Sequence, residues 1–406
     1  MEWDDSTEQA AFRADVRTFI AERLPAFYKQ GRQRTLRWVG LENNWAQDWV
    51  HGDDAAKLAA REWAAALGER GWVAPHWPKQ YGGAGLTAME QFIFNAELAV
   101  AGAPPAGTGG LVGPTLMIHG SDEQKERFLG PTLRGEIMWA QGFSEPGAGS
   151  DLASLQCRAV RDGDEYVING QKLWTSAAHK SNYIFGLFRT DPEAPKHRGI
   201  SFLLIDQTTP GVSVRPIYSM GWEHATNETF YEDVRIPVGN LVGEENRGWY
   251  VGMTLLDFER SGVGSAVQMR DQLDQLISFV RSPEAVANTP AAGLARDAMA
   301  ERYIESEVLF NLGARVASMQ AQGLVPNYEA SMGKICGSEL AQRIARTGMK
   351  VFGLYSNLWD MDEPLAPMDA RFTQNYCHTV VQTVFGGANE IQRNIIATRG
   401  LGLPRG

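Results

Sequence analysis

The sequence predicts an α+β fold in which a β-rich middle region separates two helical regions. Apolar residues recur at three- and four-residue spacing through the first third of the chain, alternate with a period of two through the middle, and then return to the helical period. With 406 residues, the chain is long enough for a large core and more than one domain. We expect an N-terminal α-helical domain (1–132), a middle antiparallel β-domain (133–242) and a C-terminal α-helical bundle (243–406).

The N-terminal region contains two segments that predict amphipathic helices, EQAAFRADVRTFIAERLPAF and DAAKLAAREWAAALGERGW. Both place apolar residues three and four positions apart, which puts them on one helix face. The stretch GWVAPHWPKQYGGAGL is rich in Pro, Gly and Trp, and it predicts a loop that interrupts the helical pattern.

The middle region is predicted to be a sheet of short strands. RAVRDGDEYVINGQKLW indicates two strands around an Asp-Gly turn, because apolar and polar residues alternate on either side of it. YIFGLF, GISFLLI, VSVRPIY and ETFYEDVRI predict four more strands, each bounded by turn residues. After GNLVGEENRG, the helical period predicts long helices over about 246–281, 290–322, 326–352 and 370–399.

Composition excludes several classes of function. The net charge of −10 and the lack of a basic stripe disfavour nucleic-acid binding. No apolar run approaches the roughly 20 residues of a membrane span, and the acidic start MEWDDSTEQ lacks the basic residues of a signal peptide. Three widely separated cysteines, Cys157, Cys336 and Cys377, are typical of a reduced cytoplasm. Neither HExxH nor CxxC occurs, so we expect no metal site.

Two glycine- and hydroxyl-rich stretches in the middle region are candidate ligand sites. Neither GxGxxG nor GxxxxGK occurs, which disfavours a Rossmann or P-loop nucleotide site. The loop GFSEPGAGSD (142–151) nevertheless permits close backbone approach to a ligand, although composition alone favours a tight turn without a ligand. In QKLWTSAAH, Trp174 is followed by Thr175 and Ser176; core packing and capping of the strand edge are the alternative roles.

Glu259 is the candidate catalytic base. It interrupts an apolar stripe on one face of the predicted helix, formed by Gly252, Leu255, Val263 and Ala266. Burial would raise the pKa of this carboxyl toward the range of a general base. The alternative is a salt bridge on the helix face, for example with the adjacent Arg260.

With these residues in view, the chain resembles the acyl-CoA dehydrogenases. Four motifs carry the resemblance, in the order of the family and over almost the whole chain: GFSEPGAGSD, NGQKLWTSAAHKSNY, FYEDVRIPVGNLVGEENRGW and VFGGANEIQRNIIATRGLGLP. The resemblance implies FAD as the cofactor, bound by the β-domain and the C-terminal helices. The positions that it matches to the flavin site are Gln141, Phe143, Ser144, Gly149, Trp174, Thr175, Ser176, Arg281, Ala388 and Glu390.

In many relatives the catalytic glutamate occupies the position that matches Gly386. In a smaller set, similar to the long-chain and isovaleryl-CoA dehydrogenases, the base lies on the first long helix of the C-terminal domain, at the position that matches Glu259. The resemblance therefore implies that Glu259 removes the α-proton of an acyl-CoA while the β-hydrogen leaves as hydride. It matches Ser150, Asp257 and Arg260 to the CoA-binding positions, and implies transfer of electrons to an electron-transfer flavoprotein.

The chain departs from the family at the motifs that contact a neighbouring subunit's flavin. FVRSPEAVANTPAAG replaces the region of the RxxFG motif and leaves only Arg281, while KVFGLYSN retains only Lys350 and Gly353 of QxxGGxG. A homotetramer or homodimer with a rebuilt site explains these changes, and so does a heterotetramer. Two other functions stay open: a partner subunit of a heteromeric enzyme, and a flavin oxidase or monooxygenase on the same fold. The acyl chain length is not specified by these motifs.

Overall fold

The computed structural model describes residues 5–30, 45–106, 112–258, 263–282 and 295–404. The side chains of 256–258 and 263–265 lie outside the description, as do those of 30 and 47. The chain divides into two compact units. One contains the described residues of Met1–Asn44, Leu86–Pro105 and Ser261–Gly406, and the other those of Trp45–Gly85 and Ala106–Arg260.

The first unit is helical. Its helices are α1 (Thr7–Arg23), α2 (Ala26–Gln30), α5 (Ala88–Ala101), α9 (Val263–Val280), α10 (Arg296–Ala321), α11 (Tyr328–Phe352), α12 (Arg371–His378) and α13 (Asn389–Ile395). Helix α5 shows how the sequence sets these boundaries. Thr87 caps its first turn in a capping box with Glu90, and Gly102 ends it with a left-handed φ of 63°.

The core of this unit is formed mainly by α9, α10 and α11. Leu273, Leu276, Leu340 and Ile344 are almost fully buried there, together with Phe372 of α12. Helices α1 and α5 are joined by a buried carboxylate: Glu97 accepts hydrogen bonds from Arg13 at 2.7 Å and from Arg17 at 2.8 Å. Burial of Glu97 is tolerated because both of its oxygens are paired.

The long helix predicted over 370–399 is interrupted in the structure. Helix α12 ends at His378, a 3₁₀ turn follows over Thr379–Thr383, and α13 begins only at Asn389. Gly386 and Gly387 lie between them with φ values of 61° and 85°. These left-handed conformations cannot continue an α-helix, so the glycine pair ends the helical pattern that the apolar spacing predicts. Helix α11, in contrast, confirms the prediction over 326–352.

The second unit contains helices α3 (Trp45–His51), α4 (Asp54–Glu69), α6 (Val112–His119), α7 (Asp122–Leu133) and α8 (Gly248–Phe258), and one eight-stranded sheet. Its strands are β1 (Trp139–Gly142), β2 (Arg158–Asp162), β3 (Glu165–Lys172), β4 (Tyr183–Arg189), β5 (Ile200–Asp206), β6 (Val212–Tyr218), β7 (His224–Pro237) and β8 (Leu241–Val242). The six strands predicted from alternation are all present, while β1 and β8 were not predicted.

The sheet runs in the order β6-β7-β3-β2-β4-β5-β8, with β1 beside β4. Most neighbours are antiparallel, as expected, but β1 and β2 both pair with β4 in parallel. Strand β4 is buried on both faces. Phe185 and Leu187 pack toward one cluster, with residues of α6, α7 and α8, while Ile184 and Phe188 pack toward a second cluster that contains Tyr231. This double burial explains why β4 reads as a continuous apolar run.

Strand β6 lies at one end of this sheet and pairs with β7 alone among the described strands. Pro216 of β6 stands opposite Asn227 of β7. No helix in the described part of the chain is both long and apolar enough to span a bilayer.

Candidate functional site

A β-bulge at Leu173–Trp174 shapes the end of strand β3. Lys172 pairs with Thr229 in the regular ladder, and Thr175 exchanges two backbone hydrogen bonds with Asn227, of 2.9 and 3.1 Å. From Lys172 to Thr175 the chain advances three residues, while the opposite strand β7 advances only two, from Thr229 to Asn227. One extra residue therefore lies on the β3 side. The extra residue reverses the alternation of side chains after Lys172.

The bulge turns Trp174 and Ser176 to the exposed face. Lys172 and Thr175 are both fully buried although they are three positions apart, while the Trp174 side chain is 57% exposed and Ser176 is also exposed. The structure thus overturns core packing as the role of Trp174. An exposed aromatic ring can stack on a flat ring, and an exposed hydroxyl in the same segment can hydrogen-bond to its edge.

The backbone around this segment is strained. Trp174 has a φ of 61° and Ala177 a φ of 56°. Both values lie in the left-handed region, which residues other than glycine rarely adopt. Such conformations cost about 1–3 kcal/mol each and persist only where the surrounding contacts enforce them. Two of them within four residues indicate that the Trp174–Ser176 segment is held in a specific conformation.

The glycine-rich loop 142–151 lies directly beside this segment. The backbone N–H of Leu173 donates to the carbonyl oxygen of Ser144 at 2.8 Å. Within the loop, Glu145 and Ala148 exchange two backbone hydrogen bonds, which closes a tight turn. A Cβ at Gly147 or Gly149 would meet no atom within 4 Å, so these two glycines present open backbone. The tight turn and the exposed backbone therefore occur together.

A buried ion pair, which the sequence reasoning missed, joins the loop to strand β3. The ammonium of Lys172 donates to Glu145 at 2.7 Å, to the carbonyl oxygen of Leu187 at 2.6 Å and to that of Phe143 at 3.3 Å. The remaining lone pairs of the Glu145 carboxylate accept from the backbone N–H groups of Gln156 at 2.6 Å and Cys157 at 3.0 Å. Both charges are therefore compensated in a site that excludes water.

Burial lowers the pKa of Lys172, and the neighbouring Glu145 carboxylate opposes that shift. Burial also raises the pKa of the nearby Cys157 thiol to about 12, which keeps it protonated. A signal for the ion pair was present in the sequence. Counting by two along β3 places Lys172 on the same face as the buried Tyr166 and Ile168, and a lysine on a buried face requires a partner.

Two other predicted flavin positions are Gln141, just before the loop, and Phe143, within it. Gln141 is half-buried on β1. Phe143 is buried, in edge-to-face contact with Phe185 at 6.0 Å and Phe202 at 6.2 Å between ring centroids. Its side chain therefore belongs to the core, and its backbone carbonyl is the group that faces Lys172. Ser144 is half-buried and Ser150 is exposed.

Helix α8 directly precedes the candidate base, Glu259, in the sequence. Val251 and Leu255 are buried, and a Cβ at Gly252 would lie 3.4 Å from Leu187 of β4, so the glycine lets the helix approach the sheet closely. His119 of α6 hydrogen-bonds to Thr254 of α8 at 2.9 Å. Asp257 lies on α8, with its side chain outside the description. Glu259 and Arg260 follow the helix and lie outside the described residues.

The remaining predicted positions belong to the helical unit. Arg281 is exposed just after α9, Ala388 is the N-cap residue of α13, and Glu390 is exposed in its first turn. The start of α13 is tied to α11 by Asn389, whose buried side chain accepts from Lys334 at 2.8 Å and from Ser338 at 3.1 Å. Within the part of the chain that the structure describes, no cluster of His, Cys, Asp or Glu side chains could hold a metal ion.

Comparisons with known proteins agree with this architecture. Models of the acyl-CoA dehydrogenase N-terminal, middle and C-terminal domains match residues 6–136, 140–234 and 246–401. The acyl-CoA dehydrogenase FadE26 of Mycobacterium tuberculosis is 40% identical over 372 residues, which cover 88% of this chain and 91% of that protein.

Two solved structures are also similar over their whole lengths. One is described as the Tcur3481-Tcur3483 steroid ACAD, with 34% identity, a TM-score of 0.83 and full coverage of both chains. The other is the ChsE4-ChsE5 complex from Mycobacterium tuberculosis, with 34% identity, a TM-score of 0.79 and full coverage of both chains. The chain belongs to the acyl-CoA dehydrogenase family, whose members are FAD-dependent oxidoreductases that act on CH–CH bonds.

Proposed function

We propose that this chain dehydrogenates an acyl-CoA thioester to the trans-2-enoyl-CoA, with Glu259 as the base. The observation that carries the proposal is the β-bulge after Lys172, which leaves Trp174 and Ser176 exposed on either side of the buried Thr175. The Glu259 assignment rests on the sequence pattern and the resemblance to relatives with the base on this helix.

The residues around the bulge fit an isoalloxazine ring. A flat ring with polar edges requires an aromatic or apolar face, hydrogen-bond donors at its rim and backbone that it can approach closely. Trp174 offers the face, Ser176 the hydroxyl, and Gly147 and Gly149 the open backbone. FAD, when bound, accepts the hydride that leaves the β-carbon of the substrate.

The chain's own residues have three tasks in this proposal. Glu259 takes the proton from the α-carbon of the substrate, as a general base. Ser150, Asp257 and Arg260 hold the CoA portion of the substrate. The Trp174–Ser176 segment orients the cofactor. The electrons then pass to an electron-transfer flavoprotein.

For the substrate, we propose a bulky acyl group, branched or cyclic, rather than a short straight chain. Many relatives carry their base at the position that matches Gly386, and the glycine there removes that side chain. A similar structure is described as a steroid ACAD, which is consistent with a polycyclic acyl group. Turnover confined to short straight chains would contradict this part of the proposal.

A second candidate is a subunit of a heteromeric acyl-CoA dehydrogenase. Two similar structures carry paired names, Tcur3481-Tcur3483 and ChsE4-ChsE5. In this chain, the RxxFG and QxxGGxG motifs are largely lost, and Lys350 and Leu354 at the second of them are exposed. In this version, a different chain supplies the residues that complete the flavin site.

The test is an anaerobic visible spectrum of the purified chain before and after addition of a panel of acyl-CoA thioesters. It is run on wild type, on Glu259→Gln and on the matched control Glu244→Gln, an exposed glutamate in the segment before α8. We expect a flavin spectrum that an acyl-CoA bleaches in wild type and in the control, and that stays unbleached in Glu259→Gln.

Each other outcome has a distinct meaning. Bleaching at the wild-type rate in Glu259→Gln would reject Glu259 as the base. A colourless lone chain that gains flavin only with a second subunit would favour the heteromer. Rapid reaction of the reduced flavin with O₂ would favour an oxidase or monooxygenase on the same fold.

A further inference from the structure

Thr175 ties the strained Trp174–Ser176 segment to strand β7 and lies between the two left-handed residues, Trp174 and Ala177. The carbonyl oxygen of Thr175 accepts two hydrogen bonds from the same residue, Asn227: one from its backbone N–H at 3.1 Å and one from its side-chain Nδ2 at 2.9 Å. Only the first belongs to a normal β-ladder. The second, from the Asn227 side chain, is an additional hydrogen bond between the two left-handed residues, where the backbone is strained.

The Asn227 side chain is fully buried and every polar atom of it is used. Besides Thr175, its Nδ2 donates to Nδ1 of His179 at 3.1 Å, and its Oδ1 accepts from Nε2 of His224 at 2.6 Å. The two imidazoles stack on each other, with 3.7 Å between ring centroids and an interplanar angle of 22°. Asn227 thus links a histidine pair to the backbone of the bulge.

The geometry fixes the direction of each hydrogen bond. A backbone carbonyl can only accept, so the Asn227 atom beside Thr175 must be the nitrogen. It follows that Nδ1 of His179 accepts and carries no proton, while Nε2 of His224 donates. Burial, together with the neighbouring His224, lowers the pKa of His179 to about 4, which agrees with a neutral ring. His51 and Lys180 also approach His179, and both oppose its protonation.

We propose that Asn227 is a positioning residue for the flavin: clamped between His179 and His224, it holds the Trp174–Ser176 segment in the conformation that presents Trp174 and Ser176. This inference rests on the proposed function, since it assigns that segment to the cofactor. Asn227 itself lies on the buried face and does not touch the ligand side.

The test compares two Asn→Asp variants of the full-length chain after removal of FAD. Asn227→Asp keeps the size and shape of the side chain but places an oxygen beside the Thr175 carbonyl. The side-chain hydrogen bond to that carbonyl is therefore lost. The matched control is Asn240→Asp, because Asn240 is also buried and its Nδ2 also donates to a backbone carbonyl, that of Leu204, at 2.8 Å. Dissociation constants for FAD are measured by fluorescence titration, alongside melting temperatures.

We expect Asn227→Asp to weaken FAD binding at least about tenfold and Asn240→Asp to stay within about threefold, even where both variants melt at lower temperatures. A second pair tests the histidine clamp: His224→Gln retains an N–H donor and is expected to bind FAD like wild type, whereas His224→Leu is expected to resemble Asn227→Asp.

A third readout does not depend on flavin. In ¹⁵N spectra of the chain without FAD at pH 7, Nδ1 of His179 should be unprotonated and Nε2 of His224 protonated; the opposite tautomers would overturn the clamp. Wild type that binds FAD no better than Asn227→Asp would overturn the positioning role alone. Wild type that binds no FAD, alone or with a partner subunit, would overturn the proposed function and the positioning role together.

Discussion

Replacing Lys172 by methionine tests whether the loop 142–151 depends on its buried ion pair. Methionine preserves most of the apolar stem of lysine, so the main loss is the ammonium, together with its cation–π contact to the Phe188 ring at 5.0 Å. The variant leaves the Glu145 carboxylate in place, with two backbone N–H donors but no counter-charge. The carbonyl oxygens of Phe143 and Leu187 also lose a donor.

The expected destabilisation is large. Removing one member of a buried ion pair costs about 3–5 kcal/mol, because the other charge stays buried without compensation. The Lys172 ammonium is fully buried and Glu145 is nearly so, which places this pair in that class. The double variant Lys172→Met with Glu145→Leu removes both charges and is expected to recover part of the loss, since no unpaired charge is left.

The matched control is Lys196→Met in the same β-domain. Lys196 pairs with Asp151 at 2.6 Å, a distance close to that of the Lys172 pair, but both residues of this pair are exposed. We expect urea-induced unfolding, followed by tryptophan fluorescence, to shift strongly in Lys172→Met and to stay at the wild-type midpoint in Lys196→Met. Equal midpoints for the two single variants would refute the reasoning that burial makes the difference.

Three further predictions concern acid stability, helix packing and thiol reactivity. The pKa of His179 in the folded chain, about 4, lies below the ordinary value of 6.5, so the unfolded state binds this proton first as the pH falls. Stability should therefore be lost between about pH 6.5 and 4, and the urea midpoint should fall more steeply with acid in wild type than in His179→Asn; parallel curves would contradict this. On helix α11, Gly333→Ala should raise the melting temperature, because its Cβ meets no atom within 4 Å and alanine favours the helix, whereas Gly348→Ala should lower it by pressing on the ring of Phe372. Melting curves of both variants check the two signs. Because burial raises the pKa of Cys157 to about 12, alkylation of the native protein at pH 8, followed by mass spectrometry, should modify Cys377 well before Cys157.

The periodicity of apolar residues predicted many of the helices and strands. It identified strands β2 to β7 because each alternates, or runs apolar, over at least five residues. It missed β1 and β8 because four and two residues are too few to show a period. It also overran the end of α12, because the apolar spacing of 379–385 continues while the two left-handed glycines stop the helix. Such breaks depend on a backbone conformation that hydrophobic spacing does not record.

The candidate site was predicted unevenly for a similar reason. Trp174, Ser176 and the glycine loop were proposed as ligand positions from composition and resemblance, but core packing of Trp174 stayed an alternative because the bulge that exposes the ring is not visible in the sequence. Glu145 and Lys172 are 27 positions apart, and Asn227 and Thr175 are 52 positions apart. Contacts at such separations come from tertiary structure, so a local reading of the sequence could not find them.

The edge strand β6 has a consequence for how another chain can meet the sheet. Asn227 directs its backbone N–H and C=O toward Thr175, so the backbone groups of its opposite residue, Pro216, point out of the sheet. At that position proline has no N–H to offer. A further strand that paired with this edge would therefore lack one backbone hydrogen bond in its middle, which discourages both aggregation and sheet extension. At Pro216, contact with a second subunit would therefore rely on side chains.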